Sequence, residues 1–110
     1  MKQVRITVLK RAEYPDLIDK YVPKAPEHPK YGACRLFADG QTFIVEHRPD
    51  KPEDFRCHGA WDDIRRDVAV VLFGGSAPWI NRPGTMITCC TDGLRPVTFL
   101  IERIEDEEAR

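Results

Sequence analysis

A chain of 110 residues with two Trp, five Phe and three Tyr is one domain's worth of sequence, so residues 1–110 are read as a single domain. Seventeen Lys and Arg against eighteen Asp and Glu leave a net charge of -1. No overall field then draws the chain to nucleic acid or to an anionic membrane, and neither is expected as a partner.

Val4, Ile6 and Val8 alternate with Arg5 and Thr7, the period-two pattern of a half-buried strand from Lys2 to Lys10. The same stretch lacks the continuous apolar segment of a secretory signal. The longest apolar run, Val68 to Phe73, falls far short of the roughly 18 residues that span a membrane. A cytoplasmic protein is expected, with thiols kept reduced. Tyr14-Pro15-Asp16 resembles a helix start, with Leu17, Ile18, Tyr21 and Val22 following at helical spacing. Pro23, Pro26 and Pro29 keep that helix short and make Pro23 to Gly32 a surface loop.

Gln41 to Glu46 is a β-branched and aromatic run, read as the second strand. The clearest helix covers about residues 60–73. There Trp61, Ile64, Val68, Val71 and Leu72 share one face, Asp62 and Asp63 suit the positive end of the dipole in its first turn, and Gly74-Gly75 stops it. Strand character resumes over Thr85 to Thr91 and again over Val97 to Ile101. Asp92-Gly93 between them is the strongest hairpin signal in the chain. Pro96 cannot donate to a ladder and is expected at a bulge or an edge. Glu102 to Arg110 carries five acids and reads as an acidic tail. The fold class is α+β: a small, curved, mostly antiparallel sheet of about four strands, one main helix and a short N-terminal helix, with the first strand beside the last.

Four cysteines in so short a chain are the main functional clue. Paired Cys-x-x-Cys knuckles, which present two thiolates to one tetrahedral ion, are absent. A site shared by Cys34, Cys57 and Cys89 or Cys90 must therefore be assembled by the fold from two loops and a strand. Neighbours in a strand point to opposite faces, so one of Cys89 and Cys90 belongs to the core, and Cys89 is read as that one. His58, beside Cys57, is a candidate ligand or a solvent-facing residue, and His28 and His47 read as surface. Asp62-Asp63 is explained by the helix start and Asp92 by turn chemistry, although Asp92 is also a candidate binding group. Gly74-Gly75 follows a helix and is not a phosphate loop. Arg65-Arg66, Arg82 and Arg95 offer anion contacts. Trp79 is either a recognition residue or a plug for the open end of the sheet, and the plug is preferred.

Cys90-Thr91-Asp92-Gly93-Leu94-Arg95-Pro96-Val97-Thr98-Phe99, with Phe37-x-x-Gly40-Gln41-x-Phe43-Ile44-Val45 and Gly74-Gly75-x-x-Pro78-Trp79 upstream, resembles a family of very short uncharacterised microbial proteins. The likeness runs from the first strand to about Ile104. Position by position it singles out Cys57 in Phe-x-Cys, Cys90 before the Asp-Gly segment, Trp79 after Gly-Gly, and an N-terminal-loop cysteine equivalent to Cys34. That cysteine often precedes a Pro in the family, whereas Arg35 follows Cys34 here. The resemblance implies candidate residues and no reaction.

Two readings stay open. In one, Cys57, Cys90 and Cys34 meet at one end of the sheet, with His58 near and Trp79 and Phe55 excluding water. The site would hold a thiophilic metal ion such as zinc, copper or iron, or run thiol redox chemistry, with Asp92, Arg95 and Trp79 as binding residues for a small molecule. In the other, the cysteines are packing residues of a non-enzymatic binding or assembly module, a homodimer across a sheet edge or over Pro78-Trp79.

Overall fold

A computed structural model of the chain describes residues 2–23 and 32–105. The elements follow in the order β1 (Lys2–Arg11), α1 (Pro15–Tyr21), β2 (Thr42–Glu46), α2 (His58–Leu72), β3 (Thr85–Cys89) and β4 (Val97–Glu105). Among the described residues they form one four-stranded antiparallel sheet in the order β2-β1-β4-β3, with α2 as the main helix. The first strand does lie beside the last. Among the described residues no helix is long and apolar enough to cross a membrane.

The alternation in β1 places Val4, Ile6 and Val8 on one face, where they are buried. In register with them, β2 contributes Phe43 and Val45, and β4 contributes Phe99 and Ile101. Over this face lies α2, whose Ala60, Trp61, Ile64, Val68, Val71 and Leu72 recur every three or four residues and are all buried. Phe55 fills the gap at one end. It is fully buried, with ring centroids 4.9 Å from Phe43, 5.0 Å from Phe37, 5.6 Å from Phe99 and 5.7 Å from Trp61. Such edge and tilted contacts favour the ring quadrupoles as well as removing apolar area from water. Phe37 and Phe55 both come from loops, so this aromatic cluster fastens those loops to the sheet.

Helix α2 ends as the Gly74-Gly75 pair predicts. Gly74 takes φ +103°, and a side chain at Gly75 would meet Val70 Cγ1 at 2.5 Å and the Val70 carbonyl oxygen at 2.9 Å. Arg103 completes the cap by donating from Nη1 to the carbonyls of Val71, at 2.8 Å, and Gly75, at 3.0 Å. Pro15 occupies the first turn of α1, and of Leu17, Ile18, Tyr21 and the C-cap Val22 only Ile18 is buried, with Tyr21 66% exposed.

Several expectations from sequence are corrected. The hairpin of β3 and β4 forms, but its connection is the segment 90–96 and not a tight Asp-Gly turn. Gly93 lacks the positive φ that such a turn requires. Pro96 lies just before β4, where a missing N–H costs no ladder bond, and its carbonyl accepts from the Ala12 N–H at 2.9 Å. Residues 102–105 are not tail but the end of β4, held by pairing with β1; 106–110 fall outside the described residues, as do 24–31 of the expected proline loop, including His28. Because α2 begins at His58, Asp62 and Asp63 lie in its second turn and no acid occupies the first.

Candidate functional site

The N-terminal end of α2, the segment 34–37 and the β3–β4 connection converge on a cavity of about 320 Å³. Cys34, Cys57 and Cys90 all line it, together with Leu36, Phe37, Asp63, Asp92 and Arg95. Each of the three thiols is free, half-buried and packed against the core. The fourth cysteine behaves otherwise. Cys89, read from sequence as the core member of its pair, is exposed. It lies in β3 opposite Thr98, while Thr88 pairs with the inward-facing Phe99; the alternation therefore turns Cys90, not Cys89, toward the core side.

Cys57 is the N-cap of α2. Its backbone is extended (φ -123°, ψ 110°), its carbonyl accepts from the Trp61 N–H at 3.1 Å, and its Sγ accepts from the Ala60 N–H at 3.3 Å. A thiol thus fills the place usually taken by a Ser or Asp oxygen. Cys90 continues β3 by one residue. Its N–H donates to the Val97 carbonyl at 3.1 Å, and its Sγ accepts from the Val97 N–H at 3.3 Å. Each of these two sulfurs thus accepts from a backbone N–H, that of Cys57 at a helix N-terminus. Cys34 is placed by its backbone, whose carbonyl accepts from Arg11 Nη1 at 3.0 Å, while Arg11 Nε donates to Asp39 at 3.0 Å.

The carboxylates divide by partner. Asp92 Oδ1 accepts from the N–H groups of Leu94 (2.9 Å) and Arg95 (3.1 Å), and Oδ2 accepts from Arg95 Nε at 3.2 Å. Burial pushes this carboxyl up, but the two backbone donors, the Arg95 hydrogen bond and the Arg95 charge outweigh it and hold Asp92 below its ordinary range. Turn chemistry at Asp92 was legible from sequence, as was the candidacy of Arg95. The role of Asp63 was not: its Oδ2 accepts from both the N–H (2.8 Å) and the hydroxyl (3.0 Å) of Thr91. That clamp joins α2 to the residue after Cys90 across 28 positions of sequence, a distance over which no local pattern signals a pair.

His58 is exposed at the first position of α2 and does not line the cavity. Among the described residues no group of three or more His, Cys, Asp or Glu side chains is placed to hold a metal ion, so Cys34, Cys57, Cys90 and His58 do not form the shared ligand set that the metal reading requires. Phe55 is part of the core beneath the site and Phe37 forms its apolar wall. Trp79 is 73% exposed and neither plugs the sheet nor reaches the cavity. His47 is exposed, with Nε2 3.7 Å from Glu46.

Comparison of the chain with protein families, with curated proteins and with solved structures finds no match.

Proposed function

We propose that this is a small thiol-redox protein that exchanges disulfides through Cys57 and Cys90, with Cys34 as a third thiol at the same pocket. The observation that supports the reading is convergence: three thiols from separate segments line one cavity while the fourth faces away. Such chemistry belongs to a compartment where thiols are kept reduced, in keeping with a cytoplasmic protein.

The step begins with the Cys57 thiolate, at the positive end of α2, attacking one sulfur of a bound disulfide R–S–S–R′. That S–S bond breaks, R′–S⁻ leaves, and a mixed disulfide joins Cys57 to R–S. Cys90, after releasing its proton to water, attacks the Cys57 sulfur and expels R–S⁻. Two electrons pass from the two protein thiols to the substrate, which departs as two thiols, and a Cys57–Cys90 disulfide remains. A reducing dithiol restores the protein by the reverse sequence.

The test is anaerobic incubation of the reduced protein with 2-hydroxyethyl disulfide, followed by proteolysis and mass spectrometry. The expected product is a Cys57–Cys90 disulfide, and Cys90→Ser is expected to stop at the mixed disulfide on Cys57. Pocket thiols that stay unmodified in the folded protein would remove the proposal.

A second reading, assembly of a homodimer, draws on the exposure of Phe73 (70%) and Trp79 (73%) beyond the C-terminal end of α2. Sedimentation that gives a monomer at micromolar concentration for both the protein and Trp79→Ala would exclude it.

A further inference from the structure

The charges that line the pocket do not balance. They are two carboxylates, Asp63 and Asp92, and one guanidinium, Arg95. Asp92 and Arg95 form an ion pair at 3.2 Å, and two backbone N–H groups add to the satisfaction of Asp92. Asp63 has no cationic partner among the described residues. Both of its hydrogen bonds, from the Thr91 N–H and hydroxyl, end on Oδ2, which leaves Oδ1 to accept from whatever enters the cavity. Helical geometry places Asp63 on the pocket wall: Gly59, Ala60 and Asp63 recur at the spacing of one α2 face, and all three line the cavity that Cys57 also lines. Arg35 and Arg56, next in sequence to Cys34 and Cys57, are exposed and do not line the pocket.

We propose that Asp63 is a specificity-determining residue that makes the pocket take small disulfides bearing an ammonium group near the sulfur in preference to those bearing carboxylates. The inference rests on the thiol-redox reading of the same site. An ammonium a few bonds from the reacting sulfur can donate to Oδ1 while the sulfur faces Cys57. A carboxylate placed there meets like charge in a half-buried setting, a repulsive element of the kind that discriminates between otherwise similar ligands. The rest of the wall, Leu36, Phe37 and Val97, is apolar and does not distinguish the two.

The experiment compares three disulfides of similar size and different charge: cystamine (cationic), 2-hydroxyethyl disulfide (neutral) and dithiodiglycolic acid (anionic). Second-order rate constants for loss of pocket thiols are measured at pH 7 and fixed ionic strength, each normalised to the rate of a free cysteine peptide with the same disulfide. The expected order is cystamine, then the neutral compound, then the diacid, with about a fivefold step between the first two, the ratio a partly exposed ion pair supports. Asp63→Asn keeps an oxygen for Thr91 and removes the charge, so its three normalised rates should draw together; Asp63→Glu should retain the order. Because the comparison is made within each variant, a change in overall stability does not mimic the result. Equal normalised rates in the unsubstituted protein, or an unchanged order in Asp63→Asn, would overturn the inference and leave the thiol reading intact. Failure of all three compounds to oxidise the pocket thiols would instead strike the thiol reading itself.

Discussion

Cys57 holds two positions at once, the N-cap of α2 and a wall of the pocket, and substitution can separate them. Its Sγ takes the Ala60 N–H at 3.3 Å, one of the donors at the helix start that has no partner within the helix. Serine keeps an acceptor in that place, and aspartate keeps one with a charge that suits the dipole. Alanine keeps none, and loss of a side-chain cap costs about 1 kcal/mol. Cys57 is half-buried, so alanine also forfeits some packing, a few tenths of a kcal/mol for a fraction of one methylene equivalent. Cys57→Asp and Cys57→Ser are therefore expected to equal or slightly exceed the unsubstituted protein in stability. Cys57→Ala should fall below Cys57→Ser by about 1 kcal/mol, or roughly 4–6 °C in Tm for a domain of this size. Urea denaturation followed by Trp fluorescence measures it, since Trp61 is buried one turn from the cap. All three variants should lose disulfide exchange equally. If Cys57→Ala and Cys57→Ser both matched the unsubstituted protein in stability, the sulfur would not be acting as a cap. If Cys57→Ser were destabilised as much as Cys57→Ala, packing of the sulfur rather than hydrogen bonding would be what holds the site.

Three further outcomes follow from the geometry. Arg103→Met keeps the aliphatic stem but removes both donors from the Val71 and Gly75 carbonyls; urea denaturation should show a loss of about 2 kcal/mol, and hydrogen exchange should quicken in the last turn of α2 while pocket thiol reactivity is unchanged. Asp92 is held below its ordinary carboxyl range, so its charge contributes stability that is fully present above the unfolded value near 3.9 and is lost as pH falls through the lower folded value. Asp92→Asn should accordingly be less stable than the unsubstituted protein at pH 7, and the gap between their urea midpoints should narrow as the pH falls below the ordinary carboxyl range. Trp79→Ala, at a side chain 73% exposed, should change the urea midpoint by less than about 0.5 kcal/mol in free energy.

The fold could be read in the sequence because its signals are local. Alternation in Val4-Ile6-Val8, the spacing of Trp61 to Leu72 and the Gly74-Gly75 stop each depend on a few neighbouring residues, and each element stands within a residue or two of its expected bounds, apart from a β4 that runs on to Glu105. The errors arose where two local rules competed. Asp-Gly is a strong tight-turn signal, yet the Asp92 side chain satisfies two backbone donors and a guanidinium in a longer connection, and that network outweighs turn propensity. Likewise, Asp63 fits a helix start by composition, but the true start at His58 moves it one turn inward and frees its carboxylate for Thr91.

By itself, the sequence determined the class of fold, the inward stripe of α2 and the list of thiols to consider, because periodicity and residue chemistry are properties of short stretches. Which of Cys89 and Cys90 turns inward was decided by strand register, since pairing Thr88 with Phe99 assigns the two faces of β3. That Cys34, Cys57 and Cys90 share one cavity was decided by packing of the Phe37–Phe55–Phe99 cluster beneath it. Only tertiary structure sets contacts between segments dozens of residues apart, because the apolar burial that brings them together acts on the whole chain and carries no label in any part of it.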